Sequence, residues 1–135
     1  MREVMEALTK RGDGFLERYG EFVDRYDELF CEDFAWHPAT EHLDGAAYRG
    51  REGLLRYFAQ IDDTFEVFQT SDFRYEATGE DIVVALGRLS IRGRGGGVAL
   101  DSENGICFWM RDGRIASGRS YLSHAEALEA ARAQA

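Results

Sequence analysis

The feature that most constrains the fold is a run of four long strand-like segments in the second half of the chain. Within them apolar and polar residues alternate with the period of a β-strand, and short stretches rich in glycine separate them. Connections this short join neighbouring strands that run antiparallel. The predicted strands cover residues 65–77, 82–93, 98–111 and 114–122. Much of the chain must therefore fold around one antiparallel sheet.

Helical patterns dominate the rest of the chain. The clearest is a stripe of apolar side chains at helical spacing, formed by Phe15, Leu16, Tyr19, Phe22, Val23, Tyr26, Leu29 and Phe30. The sequence also predicts a weaker helix over 2–10, a second good helix from about Arg51 to Thr64 and an alanine-rich helix near 123–133.

Local signals mark the ends of these elements. Asp13 can cap the long helix, and Ser123 with Glu126 matches a capping box at the start of the last one. A short strand over 34–37 meets Pro38, which opens an irregular segment through Gly45. We therefore expect an α+β fold, with the helices gathered on one face of a strongly curved, mostly antiparallel sheet. This cone would leave an internal pocket between helices and sheet.

The net charge and the cysteine content limit the kinds of partner and the cellular compartment to be expected. Asp and Glu number 25 against 16 Lys and Arg, a formal net charge of −9. Such a chain repels polyanions, so we expect neither nucleic acid nor a membrane surface as a partner. Its two cysteines, Cys31 and Cys107, match no metal or redox spacing, and the charged N-terminus has no apolar signal core. These features favour a cytoplasmic protein with reduced thiols.

Four sequence phrases carry a resemblance to a known family. They are CEDFAWHP (31–38), YRGREGLLRYF (48–58), GRLSIRG (87–93) and RDGRIASGRSYLSH (111–124). With the order of elements, they resemble the nuclear transport factor 2-like superfamily, and most closely its SnoaL-like polyketide cyclase and ketosteroid isomerase branch. The match covers roughly residues 8–133, and implies a single SnoaL-like domain over 1–135 with a cone-shaped fold. One such scaffold serves many activities, so the resemblance leaves function open.

Two enzyme relatives suggest where chemistry would lie. Similarity to limonene epoxide hydrolases places an arginine at Arg88 and catalytic aspartates at Ser90 and Ser120, but a serine cannot replace the carboxylate base, so this activity is excluded. Ketosteroid isomerases carry a base beside the proline after the first strand, which would make His37 the base. Aligned without a gap, the strand instead turns Trp36 and Pro38 inward and His37 away.

The resulting candidate site combines one base, several donors and an aromatic wall. His37 would abstract a proton next to a carbonyl. Four polar residues at the predicted concave side of the sheet would hold the polar end of the ligand: Arg88, Ser90, Asn104 and Ser120. Trp36, Tyr57 and Phe108 would pack on its rings. No metal spacing is present, and neither a metal nor a cofactor is expected.

Two functions fit this site. The first is a small-molecule-binding protein that acts as a cofactor-independent isomerase or cyclase on an apolar or aromatic substrate. The alternative is a noncatalytic ligand-binding or dimerisation module of the same fold. Strand parity places Phe108 in the cavity and Trp109 on the outer face of the sheet. Because an apolar outer face needs covering, we expect a homodimer through the sheet.

Overall fold

A curved six-stranded sheet with helices on both of its faces makes up the described protein. The computed structural model describes residues 22–39, 47–96 and 99–134. Its helices are α1 (Tyr26–Leu29), α2 (Gly50–Thr64) and α3 (His124–Gln134). Its strands are β1 (Phe30–His37), β2 (Tyr48–Arg49), β3 (Phe65–Thr78), β4 (Ile82–Gly93), β5 (Ala99–Arg111) and β6 (Arg114–Tyr121). The α+β class and the curved sheet are confirmed.

The sheet has the strand order β2-β1-β6-β5-β4-β3. Strands β3 to β6 form three successive antiparallel pairs, as their short connections predict. The pairing of β1 was not expected from the sequence. This strand runs parallel to β6 and antiparallel to the two-residue β2. Such pairing joins segments about 80 residues apart and leaves no local signal in the sequence.

The end of the first helical stripe is corrected by the structure. Phe30, counted there as a helical residue, begins β1, and its extended backbone (φ −124°, ψ 150°) ends α1. It pairs with Ile115 of β6, so it gains sheet contacts while its ring stays in the core. The predicted helix over 2–10, the Asp13 cap, the start of the stripe and residues 40–45 lie outside the described residues.

Two apolar layers hold the sheet to its helices. The inner layer packs residues 22–29 and α2 against β1, β4, β5 and β6, with Phe34 and Ile115 almost fully buried. Within it, the Tyr26 hydroxyl donates to the Cys31 carbonyl oxygen at 2.9 Å. Burial raises the pKa of Tyr26 to about 12, so this hydroxyl keeps its proton at neutral pH.

The outer layer lies on the opposite face of the sheet, beneath α3. Val84, Leu86 and Cys107 pack there against Ala127 and Ala131 of that helix. The prediction that all helices gather on one face is therefore wrong. Its physical reason is the alternation of β4 and β5, which turns a second set of apolar side chains outward, and an alanine-rich helix covers them.

The helix α3 packs closely against the backbone of β5, at a glycine. A side chain at Gly105 would lie 2.5 Å from the Ala127 methyl carbon, so only glycine leaves room for the helix. Cys107 is fully buried beside it, and its thiol donates to the Ala127 carbonyl oxygen at 3.0 Å. Burial raises the pKa of this thiol to about 11.

The start of α3 is fixed by side-chain hydrogen bonds. The Ser123 hydroxyl accepts from the Glu126 backbone N–H at 3.3 Å, which is half of the predicted capping box. From β5, the Glu103 carboxylate accepts the His124 backbone N–H at 2.8 Å. Over the described ranges, no helix has the length and apolar character needed to cross a membrane.

Candidate functional site

A cavity of about 90 Å³ opens between the inner face of the sheet and the helices. Since a water molecule occupies roughly 10–15 Å³ on this measure, the space takes several waters or a small ring system. Its described lining comes from residue 22, β1, α2 and strands β3 to β6. The lining is almost entirely apolar, with polar side chains at only a few positions.

The polar part of the wall centres on Asn104 of β5. This side chain is 3% exposed, and its Oδ1 accepts a hydrogen bond from the Ser120 hydroxyl of β6 at 3.0 Å. Thr70 of β3 also lines the cavity. Buried polar side chains are normally fully hydrogen-bonded, so a polar pair in an apolar wall is a feature that a ligand can use.

The aromatic part of the wall is set by a glycine. A side chain at Gly118 of β6 would lie 2.9 Å from ring carbons of Trp36, so its absence lets the indole lie against the β6 backbone. The Trp36 ring then meets Tyr57 of α2 at 5.8 Å between centroids. The indole nitrogen is buried without a hydrogen-bond partner among the described residues.

Five of the predicted ligand-binding residues line the cavity. They are Trp36, Tyr57, Asn104, Phe108 and Ser120. Phe108 faces the inner layer and Trp109 packs into the outer one, as strand parity predicts. Sequence reasoning therefore located both the aromatic wall and the polar pair.

Arg88 and Ser90 do not lie in the cavity, and their predicted placement is wrong. Both are exposed, and Arg88 pairs with Asp101 at 3.3 Å on the outer face. The reason is the register of β4 against β5, in which Arg88 lies opposite Glu103 while Asn104 lies opposite Gly87. Because directly opposed residues share a face, an inward Asn104 requires an outward Arg88.

The alternative between Trp36 and His37 is also decided by the structure. Trp36 lines the cavity and Pro38 is buried, whereas His37 is half-buried and is not among the lining residues. His37 lies opposite Arg119 in the parallel pairing with β6. Trp36 therefore faces the cavity, as the ungapped alignment has it, and this placement counts against His37 as the base for a ligand in the cavity.

Sequence reasoning missed most of the apolar lining and one polar residue. The periodic pattern could have supplied Thr70 and Leu89, which lie directly opposite each other on β3 and β4. The others belong to the core as well as to the cavity, which only the three-dimensional packing reveals. The missed lining residues are Phe22, Phe30, Phe34, Leu54, Phe58, Phe68, Thr70, Leu89 and Ile106.

The described residues contain no cluster of three or more His, Cys, Asp or Glu side chains that could hold a metal ion. None of the lining residues within those ranges is a carboxylate, a histidine or a cysteine. The chemistry that the described wall can supply is therefore hydrogen bonding and aromatic packing.

The fold is shared with solved nuclear transport factor 2-like structures. The family model of the SnoaL-like domain matches residues 13–118. The chain belongs to this family, and the resemblance carried by its motifs is confirmed. No functionally curated protein matches the chain in sequence.

Solved structures share the fold at low sequence identity. A nuclear transport factor 2-like protein of unknown function from Burkholderia pseudomallei is 11% identical with a TM-score of 0.65, covering 87% of this chain and 90% of its own. TerC, co-crystallised with polyporic acid, is 14% identical with a TM-score of 0.64, and the match covers 88% of this chain and 92% of TerC. The phenazine biosynthesis-related protein PhzB2 from Pseudomonas aeruginosa is 20% identical with a TM-score of 0.62, and the match covers 96% of this chain and 82% of PhzB2.

Proposed function

We propose that the protein binds a small, mainly apolar molecule in the cavity between its sheet and helices. The observation that carries this proposal is the composition of the wall, in which aromatic and aliphatic side chains surround the hydrogen-bonded pair of the buried Asn104 and the partly buried Ser120. Small-molecule sites in proteins typically combine an apolar lining with a few polar groups that fix orientation.

The size and shape of the wall favour a ring-containing ligand. Trp36, Tyr57 and Phe108 present aromatic faces, which pack well against flat rings. TerC, which shares the fold, was co-crystallised with polyporic acid, and a phenazine biosynthesis-related protein also shares the fold. These relatives support a ring system as the ligand here.

Binding without turnover is the form of the function that the geometry favours. Isomerisation or cyclisation by proton abstraction next to a carbonyl needs a base within hydrogen-bond reach of the ligand. The described lining supplies no carboxylate or imidazole, and His37 is not part of it. We therefore prefer the ligand-binding alternative to the cyclase or isomerase, and the experiment below separates the two.

The two tryptophans make a direct test possible, because Trp36 lines the cavity and Trp109 lies on the outer face. A Trp109→Phe variant leaves Trp36 as the only tryptophan. Titration with naphthalene, indane and simple quinones is expected to change its fluorescence in a saturable way. The matched Trp36→Phe variant, which keeps Trp109, is expected to show no such change.

The same samples are then incubated and examined for product by chromatography. Saturable binding with unchanged ligand supports the proposal. Conversion of any compound would establish catalysis and return attention to the cyclase and isomerase activities. A fluorescence signal that fails to saturate with every compound, in a variant whose circular dichroism is native, would contradict binding altogether.

A further inference from the structure

We infer that the cavity selects neutral ligands that carry a hydrogen-bond acceptor, such as a ketone or quinone oxygen, and that the Asn104 side-chain amide is the donor. The inference rests on the proposed function, because it requires a ligand in the cavity. It adds the chemical class of that ligand and the residue that recognises it.

Asn104 is placed as a recognition group inside an apolar wall. It is the one fully polar side chain buried among the described residues, at 3% exposure. Its neighbours on the same face of β5 and β6 are Ile106, Phe108 and Ser120. Its cross-strand partner on β4 is Gly87, which has no side chain to bond to it. A polar group so isolated is costly to bury unless something bonds to it.

Ser120 decides which end of the amide is available. Its hydroxyl donates to Asn104 Oδ1 at 3.0 Å, which occupies the carbonyl end. The amide Nδ2 carries two N–H donors, and neither takes part in the bond to Ser120. A ligand oxygen that accepts from Nδ2 would satisfy this donor. Ser120 is thus a positioning residue, because it orients the amide and leaves the ligand contact to Asn104.

The charge of the wall selects against ionised ligands. Within the described ranges no Lys, Arg, Asp or Glu lines the cavity. Arg88, the cation expected there, is on the other face with Asp101. A carboxylate in the cavity would be buried without a counter-charge, which is far more costly than burying a neutral carbonyl that accepts one hydrogen bond.

The test compares three ligands with the same ring system: one without a polar atom, one with a ketone acceptor and one with a hydroxyl group. Binding of indane, 1-indanone and 5-indanol to the wild-type protein is measured by calorimetry. Since a neutral hydrogen bond contributes modestly in net terms, 1-indanone is expected to bind about fivefold more tightly than indane. An affinity for 1-indanone equal to or weaker than that for indane overturns the inference, as does a preference for 5-indanol over 1-indanone, because the hydroxyl can donate as well as accept whereas the ketone can only accept.

Two variants locate the effect. Asn104→Leu is expected to abolish the preference for the ketone while indane still binds, and Ser120→Ala is expected to reduce the preference. Ser90→Ala, the same change on the outer face of the sheet, is the matched control and should keep it. A preference that persists in Asn104→Leu overturns the assignment.

The outcomes separate this inference from the proposed function. If none of the three compounds binds, the proposed binding function fails. If indane binds but the ketone is not preferred, binding stands and the assignment of Asn104 fails. Should Asn104→Leu not fold, the wild-type ligand series and Ser120→Ala still decide the question.

Discussion

Gly118 leaves the space in which Trp36 lies, so it shapes the cavity without contacting a ligand through a side chain. We expect Gly118→Ala to displace the indole, because the new methyl group would lie 2.9 Å from its ring carbons. Overpacking of this kind costs about 1–3 kcal/mol. Urea denaturation measures the loss of stability, and Trp36 emission in the Trp109→Phe background reports the shift of the ring.

The strand neighbour of this glycine provides the control. Ser117 points to the other side of β6, so Ser117→Ala should change stability by much less and leave Trp36 emission as it is. A Gly118→Ala protein as stable as the wild type, with unchanged emission, would show that the wall adapts freely at this point.

The Glu103 carboxylate stabilises the start of α3 in a pH-dependent way. The His124 backbone N–H that it accepts, with the nearby His124 ring and Arg88 and Arg74 adding smaller effects, holds its pKa below the usual 4.5. A carboxyl whose folded pKa is lowered contributes stability above its unfolded pKa, and this contribution is lost as the pH falls through the folded value.

Glu103→Gln should therefore be less stable than the wild type at neutral pH. The difference should shrink as the pH falls below 4.5 and the wild-type carboxyl takes up its proton. Thermal unfolding between pH 7 and 3 measures this difference in stability. The control is Glu129→Gln, a change at an exposed residue of α3. A difference that stays constant across this range would argue against the hydrogen bond.

At the residue level, the sequence predicted some side-chain directions and not others. Phe108 and Trp109 are adjacent on one strand, so alternation alone separated them correctly. Arg88 and Asn104 lie on different strands joined through a glycine-rich connection, and alternation says nothing about how two strands are registered. The observed register turns Arg88 outward, although the ends of the four strands lie within about one residue of the predicted ones.

At the level of elements, α3 is held to the sheet by the absence of a side chain at Gly105. Gly105→Ala should destabilise the protein by about 1–3 kcal/mol, because the helix must lift to make room. Ala127→Gly alone should cost about 1 kcal/mol of helix propensity. The double variant should recover part of the loss, since it removes the methyl group that the new one meets.

Chemical denaturation of the four proteins forms a double-mutant cycle that isolates this contact. Strictly additive effects would mean that α3 adjusts its position without cost. The cycle also tests a feature that the sequence did not reveal. The alanine-rich pattern predicted the helix and its cap, but the same pattern is compatible with packing on either face of the sheet.

For the whole molecule, a bound ligand should stabilise the fold. A ligand at 100 times its dissociation constant adds about 2.7 kcal/mol, which for a chain of this size raises the melting temperature by roughly 5–10 °C. Differential scanning fluorimetry with the tightest ligand found by titration measures this. Because the cavity is built from the inner layer, the Trp36→Phe variant should show a smaller rise.

The expected homodimer through the sheet remains a prediction. It was argued from an uncovered apolar outer face, and α3 covers part of that face. Sedimentation velocity at micromolar concentrations decides between the masses of one and two chains. A dimer would have to form through the part of the sheet that α3 leaves accessible. A monomeric mass would indicate that α3 alone shields the apolar outer face from water.

The burial of Cys107 beneath α3 makes one native thiol a reporter of that helix. A thiol-reactive reagent reaches this sulfur only when the helix swings away from β5, so the labelling rate measures how often the two separate. Cys31, buried on β1 at a different place in the sheet, reports on a separate opening. The labelling rates of the two native cysteines therefore report separately on the local opening of α3 and of β1. No cysteine has to be introduced for this measurement.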